Sequence, residues 1–359
     1  MNISPLRAQR AMTHQRIKLT VVQQILRALG ALLAFLCVVI LGGWCIGRLL
    51  TDQYWYTQWL WWIPTPAAIA IACCLLLAGC RPSPFHNRRR WRIIRAVLLV
   101  LVLSCYFAFM EHRLFMRADP QPDGLRVTHW KMNHPFGSRT ASFAEAVARL
   151  EGDIIVLTHA GRVPTDPAYQ SWLPDGVRPR IIGGFWVISE FPITFSRIVH
   201  AVDEAIIVHV ELDTTDRIGR PIILHLVDLP SDPKRERWAI AAGVREALNL
   251  RTEPAPDIVI GDFNITRRSA TIRHIYPGLT HAYEQAGHGY GASFHRQWLF
   301  HHIDHILTTP AFRATRYDLL DLGVGRHRAQ SAWLTLDDSA ELVEPDEPAE
   351  TVDPADAAD

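Results

Sequence analysis

The sequence predicts an α/β sandwich domain that is preceded by three transmembrane helices. Two observations lead to this fold class. Three long apolar runs lie in the first third of the chain, and short β-branched segments alternate with helical patterns after them. Strands separated by helices are typical of α/β architectures. The chain has 359 residues and a formal net charge of +1, so charge gives no indication of a nucleic-acid partner.

The apolar runs occupy residues 29–49, 58–80 and 93–110, and they contain one, no and one charged residue, respectively. A helix needs roughly 20 apolar residues to cross about 30 Å of hydrocarbon, and each run meets or approaches this length. The first run lies too far from the N-terminus for a cleaved signal peptide, and two more runs follow it. We therefore expect residues 29–112 to form three transmembrane helices in a lipid bilayer.

Basic residues beside these runs predict the orientation in an inner or plasma membrane. Five of them lie in residues 1–28, six lie in residues 81–95, and the loop at 51–57 has none. The positive-inside rule places the basic N-terminus 1–28 and the second loop in the cytoplasm. Three crossings then place the C-terminal domain in the periplasm or the extracellular space. All six cysteines precede residue 106, so that domain would need no disulfide.

We expect the C-terminal domain to span residues 120–337. Short segments rich in β-branched residues and bounded by Pro, Gly or Asp predict strands at 125–132, 153–160, 180–189, 205–212, 221–229, 257–264, 302–309 and 331–337. Helical patterns occur at 141–151 and 232–250. The acidic tail 338–359 is rich in Pro and Ala, which is typical of a disordered extension.

Polar residues lie at or just beyond several predicted strands, namely Asn133, His159, His225, Asp262, Asn264 and Asp304. Ligand sites of α/β sheets form outside the carboxyl ends of strands. Asp262 and Asn264 occupy alternate positions, so their side chains point to the same side of the strand. A carboxylate and an amide placed in this way can hold a metal ion, orient a water molecule or bind a phosphate oxygen.

Six segments resemble, in order, motifs of the endonuclease/exonuclease/phosphatase superfamily, which has the DNase I-like fold. They are VTHWKMN (127–133), WVISEFPI (186–193), LHLVDLPSD (224–232), IVIGDFNIT (258–266), HHIDHILTT (301–309) and GRHRAQSAWLTL (325–336). The resemblance covers about residues 125–336. It implies a four-layer α/β/β/α sandwich that hydrolyses a phosphodiester or phosphomonoester with a divalent metal, usually Mg²⁺.

The resemblance also implies roles for individual residues. Asp262 would orient or deprotonate the attacking water, and Asn264 and His225 would bind the scissile phosphate. His327, oriented by Asp304, would stabilise the charge of the transition state, and Asn133 would lie at the metal or the phosphate. These roles suit phosphoryl transfer, which depends mainly on positioning and electrostatic stabilisation.

Two positions depart from the family pattern, and both replace carboxylate ligands of the family metal. His159 stands where the family has Glu, and Arg326 stands where it has Asp. Mg²⁺ prefers hard oxygen ligands, and a protonated guanidinium is no ligand.

Three interpretations follow from these departures. In the first, Arg326 contacts the phosphate in place of the metal and hydrolysis is metal-independent. In the second, His159 and Asp262 bind a different divalent ion, Zn²⁺ or Mn²⁺. In the third, catalysis is lost and the domain binds a ligand or a protein. We expect a membrane-anchored phosphoesterase-like protein acting outside the cytoplasm, with the non-catalytic binding domain as the alternative.

Overall fold

A computed structural model of the chain describes residues 5–79, 86–119, 123–173, 179–250, 254–298 and 300–337. The expected acidic tail 338–359 lies outside these residues. The chain forms two compact units. The first comprises Met1–Leu114 with Glu236–Trp238 and Ser269–Thr271, and the second comprises the remainder.

The described residues of the N-terminal segment form mainly α-helices. Helix α1 spans Pro5–Leu50, α2 spans Trp55–Trp61, α3 spans Thr65–Gly79 and α4 spans His86–Tyr106, which continues as a π-helical turn at Phe107–Glu111. Within the described part, Val21–Leu50 and Arg90–Glu111 are each long and apolar enough to cross a membrane. The expected second span is instead a pair of helices, Trp55–Trp61 and Thr65–Leu77, bent by 70°. Two candidate spans are therefore present, or three if the bent pair crosses.

The bend between α2 and α3 follows from the sequence Pro64-Thr65-Pro66. Proline lacks a backbone N–H and cannot continue α2, whereas it is tolerated in the first turn of α3. Arg48 bonds the backbone at this break, because its guanidinium donates to the carbonyl oxygens of Trp61 at 2.8 Å and Ile63 at 3.1 Å. The same guanidinium lies 3.3 Å from Glu111. This largely buried arginine thus connects α1, the bend and the end of the π-helical turn.

The second unit contains two six-stranded sheets. In chain order the strands are β1 Leu125–Lys131, β2 Ile154–Thr158, β3 Arg180–Ile182, β4 Phe185–Ser189, β5 Ile193–Val202, β6 Ala205–Leu212, β7 Ile222–Asp228, β8 Ile258–Asp262, β9 Thr280–His281, β10 Asp304–Thr308, β11 Phe312–Leu320 and β12 Ala329–Leu336. The first sheet has the order β11-β12-β1-β2-β4-β3, and the second has the order β5-β6-β7-β8-β10-β9. Each sheet has one parallel pair, β1 with β2 and β7 with β8, and its other pairs are antiparallel.

Each expected strand coincides with an observed one, but the segment 180–189 forms two strands. Gly183 and Gly184 divide it, with φ angles of 57° and 90° that suit glycine. The sequence analysis missed β5, β9 and β11. In β5 most residues are exposed or only half-buried, so its pattern gave no clear periodicity.

Helices cover the outer faces of both sheets. These are α5 Arg139–Val147, α6 Pro167–Trp172, α8 Arg237–Leu250 and α9 Ala270–Ile275, with a 3₁₀ turn at Val163–Thr165. The short helices α7 Thr215–Ile218 and α10 Ala282–Ala286 instead contribute apolar residues to the core between the sheets. Apolar residues of α5 pack on the first sheet, and those of α8 and α9 pack on the second. A third core lies between the two sheets. This arrangement confirms the predicted four-layer α/β/β/α sandwich.

His225 lies on β7, on the outer face of its sheet, and its Nδ1 is 3.2 Å from the hydroxyl of Tyr276. Burial, with a smaller contribution from His209, lowers the pKa of His225 from 6.5 to about 3. The folded chain thus keeps the ring neutral, whereas the unfolded chain takes up a proton below pH 6.5. The resulting stability is complete above the unfolded pKa and is lost as the pH falls toward the folded pKa.

We expect His225→Gln to reduce the acid dependence of the free energy of unfolding by up to about 1.4 kcal/mol per pH unit. Glutamine keeps a polar group near Tyr276 but does not titrate. The measurement is denaturant unfolding of the full-length protein in detergent between about pH 7 and pH 4, followed by tryptophan fluorescence. The same dependence in both proteins would mean that His225 does not contribute to it.

Candidate active site

The site is a cleft at the edge of the sandwich where the two parallel strand pairs end. Its volume is about 830 Å³, and the residues that line it include Lys131, Asn133, His134, Arg139, His159, Asp228, Asp262, Asn264, Phe294, Arg326 and His327. All of these residues belong to the second unit. The cleft is therefore open, polar and large enough for a small phosphate ester.

The floor of the cleft continues the core between the sheets. Successive side chains of a strand alternate between its two faces. Val127, Leu226, Ile260 and Ile306 belong to the inner core, and polar residues lie at even spacing from each of them along the same strands. These polar residues are His129 and Lys131 on β1, Asp228 on β7, Asp262 on β8 and Asp304 on β10. The inner core thus ends in a cluster of charged groups.

Lys131 is the central cation of this cluster. Its Nζ lies 2.5 Å from Oδ1 of Asp228 and 3.4 Å from Oδ2 of Asp262. The side chains of all three residues are almost completely buried. Burial acts to lower the pKa of Lys131, but Asp262 and Asp228 outweigh it and raise the pKa. The lysine is therefore an ammonium that neutralises charge between two sheets.

Asp228 is held by a second donor from the opposite sheet. Nε2 of His159 lies 3.0 Å from Oδ2 of Asp228. Burial acts to raise the pKa of Asp228, but His159 and Lys131 together lower it, so the carboxylate is ionised. Because an ionised carboxylate only accepts hydrogen bonds, Nε2 of His159 carries the proton in this contact. That nitrogen consequently has no lone pair to offer a metal.

Asp262 and Asn264 form one unit after β8. The backbone N–H of Asn264 donates to Oδ1 of Asp262 at 3.0 Å, and its amide Nδ2 donates to Oδ2 at 3.2 Å and to the Leu229 carbonyl at 2.7 Å. Gly261 precedes them with a φ of 154°, and a Cβ there would lie 1.9 Å from the Val227 carbonyl oxygen. The Gly-Asp step therefore allows β7 and β8 to approach closely, and Asn264 fixes the carboxylate.

His327 and Asp304 form a buried pair across the two sheets. Nδ1 of His327 is 2.9 Å from Oδ2 of Asp304. Behind them His129 has Nε2 at 3.0 Å from the Thr158 hydroxyl and Nδ1 at 4.0 Å from Oδ1 of Asp304. The short contact between His327 and Asp304 orients the imidazole ring, and His129 lies near the same carboxylate without bonding it.

The protonation of these groups follows from their surroundings. Burial and the nearby Asp304 raise the pKa of Asp262 to about 6, against the opposing charge of Lys131. Burial alone would raise the pKa of Asp304, but the charge and hydrogen bond of His327 lower it to about 2. In return, and in spite of burial, Asp304 raises the pKa of His327. Asp262 is thus suited to exchange a proton near neutral pH, and the contact between His327 and Asp304 favours the charged form of each.

Several residues around the cleft have left-handed backbone conformations. The φ angles are 58° at Asn133, 51° at His134, 54° at His159 and 49° at Asn264. The rings of His134 and His159 stack with centroids 4.0 Å apart. Such conformations cost energy for residues with a Cβ and cluster at functional sites. They mark the loops after β1, β2 and β8 as shaped for the cleft.

Of the residues singled out by sequence, Asp262, Asn264, Asp304 and His327 come together here, and Asn133, His159 and Arg326 line the cleft. Arg326 is exposed, and its guanidinium lies 5.2 Å from the centre of the Phe294 ring. His225 is not brought to the cleft. It lies three residues before Asp228, an odd spacing, so its side chain faces the outer side of the sheet.

Sequence reasoning missed Lys131 and Asp228. Both were detectable from alternation. Lys131 lies two residues before Asn133, and Asp228 lies at even spacing from the apolar Leu224 and Leu226. The motif comparison pointed instead to Asn133, two residues after Lys131, and to His225, three residues before Asp228.

Comparison with known proteins identifies the family. Residues 124–335, more than half of the chain, match the model of the Endonuclease/Exonuclease/phosphatase family. The chain therefore belongs to this family. Among curated protein sequences no match is found.

Several solved structures are similar to the chain. A family protein from Bacteroides thetaiotaomicron is 19% identical, with a TM-score of 0.47, and the alignment covers 60% of this chain and 96% of that one. A protein of the family from Bacteroides vulgatus is 17% identical, with a TM-score of 0.45 and coverage of 59% and 99%. Truncated TDP2 from Caenorhabditis elegans is 16% identical, with a TM-score of 0.45 and coverage of 58% and 96%.

Members of this family commonly use divalent metals, so the fit of the cleft to such an ion matters. Among the described residues, Asp262, Asp304 and His327 form a buried group whose ligand atoms lie within 4.8 Å of one another. However, His327 is directed by its contact with Asp304, and Asp262 already accepts hydrogen bonds from Asn264 and lies beside Lys131. A dication at this group would lie next to a fixed ammonium. The residues present therefore fit a divalent metal poorly.

We expect Asp304→Asn to lower the pKa of His327, because the variant removes the charge and the ionised hydrogen-bond partner that raise it. The measurement is an NMR titration of ¹³C-labelled histidine rings in the full-length protein. Exposed His288, which lies outside the cleft, serves as the internal control. An unchanged His327 pKa would show that Asp304 does not set its protonation.

Proposed function

We propose that this chain hydrolyses a phosphate ester, either a phosphodiester or a phosphomonoester, in the cleft between its two sheets. Family membership supports hydrolysis of phosphate esters as the reaction class. The observation that carries the proposal is the convergence of Asp262 with the His327–Asp304 pair on one open cleft. Such a set combines a proton acceptor with a positive charge, which are the two requirements of phosphoryl transfer to water.

Asp262 is the proton acceptor in this proposal. The attacking water gives its proton to the Asp262 carboxylate as its oxygen bonds to phosphorus, and the ester P–O bond breaks. A base with a pKa of about 6 is ionised at neutral pH yet basic enough to accept this proton. Asn264 holds the carboxylate in place through its hydrogen bonds to both oxygens.

His327 stabilises the charge that develops on the phosphoryl oxygens. Asp304 favours its protonated form and fixes the ring, so the positive charge is present before the reaction begins. Arg326 and Arg139, at the exposed rim of the cleft, supply further positive charge toward a phosphate-bearing substrate. A purely binding role is not favoured, because the proton acceptor and the charge-stabilising groups remain together.

The nature of the rest of the substrate is a separate question. The cleft is lined by a few basic side chains but by no long basic track of the kind that many phosphate contacts to nucleic acid require. The charges around the cleft therefore do not indicate nucleic acid as the substrate, and a small phosphate ester is the simplest substrate class.

We propose further that the chain is anchored in a cell membrane with the catalytic domain outside the cytoplasm. The two apolar helices Val21–Leu50 and Arg90–Glu111 support membrane insertion. The basic residues in the N-terminal half of α1 and in the first turns of α4 support a cytoplasmic location for the N-terminal ends of both helices. An exported domain requires that the bent pair α2–α3 completes a third crossing.

Asp262→Asn is expected to reduce kcat for bis-p-nitrophenyl phosphate by roughly 100-fold to 10,000-fold, because the proton acceptor is lost. His327→Gln should cause a loss of similar size, since the positive charge disappears. The assay uses the full-length protein in detergent, with His288→Ala at the surface as a matched control that keeps its activity. No turnover of diesters or monoesters by the wild-type protein would overturn the proposed function.

Reporter fusions test the orientation. A fusion after Asp119 should give an exported signal if the bent pair crosses the membrane, and a fusion at Arg88 should give a cytoplasmic signal. Two crossings instead of three would return the chain to the side of its N-terminus. An exported signal at Arg88 together with a cytoplasmic signal after Asp119 would therefore contradict export of the domain and identify α2–α3 as a re-entrant hairpin.

A further inference from the structure

The cleft contains a cation that belongs to the protein itself. The Nζ of Lys131 lies between the carboxylates of Asp228 and Asp262, 2.5 Å from the first and 3.4 Å from the second. It is 6% exposed and lines the cleft floor. An ammonium has three N–H donors. One of them donates to Asp228, and the ammonium forms an ion pair with Asp262, so a donor can serve an oxygen of a bound phosphate.

The groups around Lys131 are arranged for a lysine rather than for a metal. His159 and Arg326 stand at two positions where the family motifs have carboxylates. His159 donates to Asp228 through Nε2, and Arg326 is a permanent cation at the rim. Of the acidic groups that remain, Asp228 and Asp262 contact the ammonium, and Asp304 pairs with His327.

The charges balance without a divalent ion. The buried groups are three carboxylates, of Asp228, Asp262 and Asp304, and two cations, Lys131 and the imidazolium of His327, which leaves one negative charge. At the rim Arg139 and Arg326 add two positive charges and Glu204 adds one negative charge, so the sum over these groups is zero. A dication would lie beside the ammonium of Lys131, which repels it.

We infer that Lys131 supplies the cation of this site, contacting a substrate phosphate oxygen in place of a divalent metal, so that hydrolysis here is metal-independent. The inference rests on the phosphoesterase function proposed above. In the step itself, water forms the new P–O bond and gives its proton to Asp262. The ester P–O bond breaks, and its electron pair stays on the leaving oxygen, which departs as phenolate from a nitrophenyl ester. Lys131 stabilises the negative charge on the phosphoryl oxygens throughout.

Metal binding tests the inference without reference to turnover. Mn²⁺ is titrated into the full-length protein in detergent and followed by electron paramagnetic resonance. The wild-type protein should show no specific site up to about 1 mM Mn²⁺. Lys131→Glu, with Lys131→Asn as a second variant, should gain one site, because the ammonium is removed and oxygen ligands remain. A stoichiometric site in the wild-type protein would overturn the inference, and so would the absence of a site in both folded variants.

Activity gives the second test. Wild-type turnover of bis-p-nitrophenyl phosphate should agree within about twofold in EDTA and in Mg²⁺, and Lys131→Met should lower kcat about 100-fold or more without rescue by Mg²⁺. Circular dichroism confirms that the variant is folded. Turnover that EDTA abolishes and Mg²⁺ restores would overturn the inference while leaving the phosphoesterase function intact. If the wild-type protein has no turnover at all, the proposed function fails and Mn²⁺ binding alone decides on Lys131.

Discussion

The contact of Lys131 with Asp228 and Asp262 is the interaction on which the cleft depends. Three carboxylates converge from three strands, and in a buried setting they would repel one another and become protonated without nearby positive charge. Lys131 is shared by two of them, and His327 pairs with the third. Because these cations come from the first sheet and the carboxylates from the second, the same contacts that set protonation also join the two sheets at the cleft.

The position of the cleft follows from strand geometry. Both sheets direct alternate side chains into a shared apolar core, and both have a central parallel pair whose carboxyl ends lie at the same edge. At that edge the inward positions become polar, so the side chains that would continue the core form a binding site. The left-handed residues after β1, β2 and β8 then turn the chain away and leave the cleft open.

Local patterns predicted much of this. The strand ending at Asp262, its same-side partner Asn264 and the layered α/β architecture all follow from short-range alternation and from helical periodicity. What local pattern could not supply was register between distant strands. His225 was preferred to Asp228 because a motif was matched by residue type, although alternation places the two on opposite faces. The bend at Pro64 was not predicted for a related reason. The apolar character of residues 58–80 predicts a span but does not show where one helix ends and the next begins.

The pairing of the first strand with the last has a consequence for how the protein is made. β1 is hydrogen-bonded to β12, with Leu125 opposite Leu334, so the first sheet closes only when the end of the domain is available. His327, two residues before β12, reaches its position at the same time. During synthesis the domain consequently stays incomplete until its final strand leaves the ribosome, and folding must wait for a contact between residues over 200 positions apart. A nascent chain therefore lacks an assembled cleft until β12 has been synthesised.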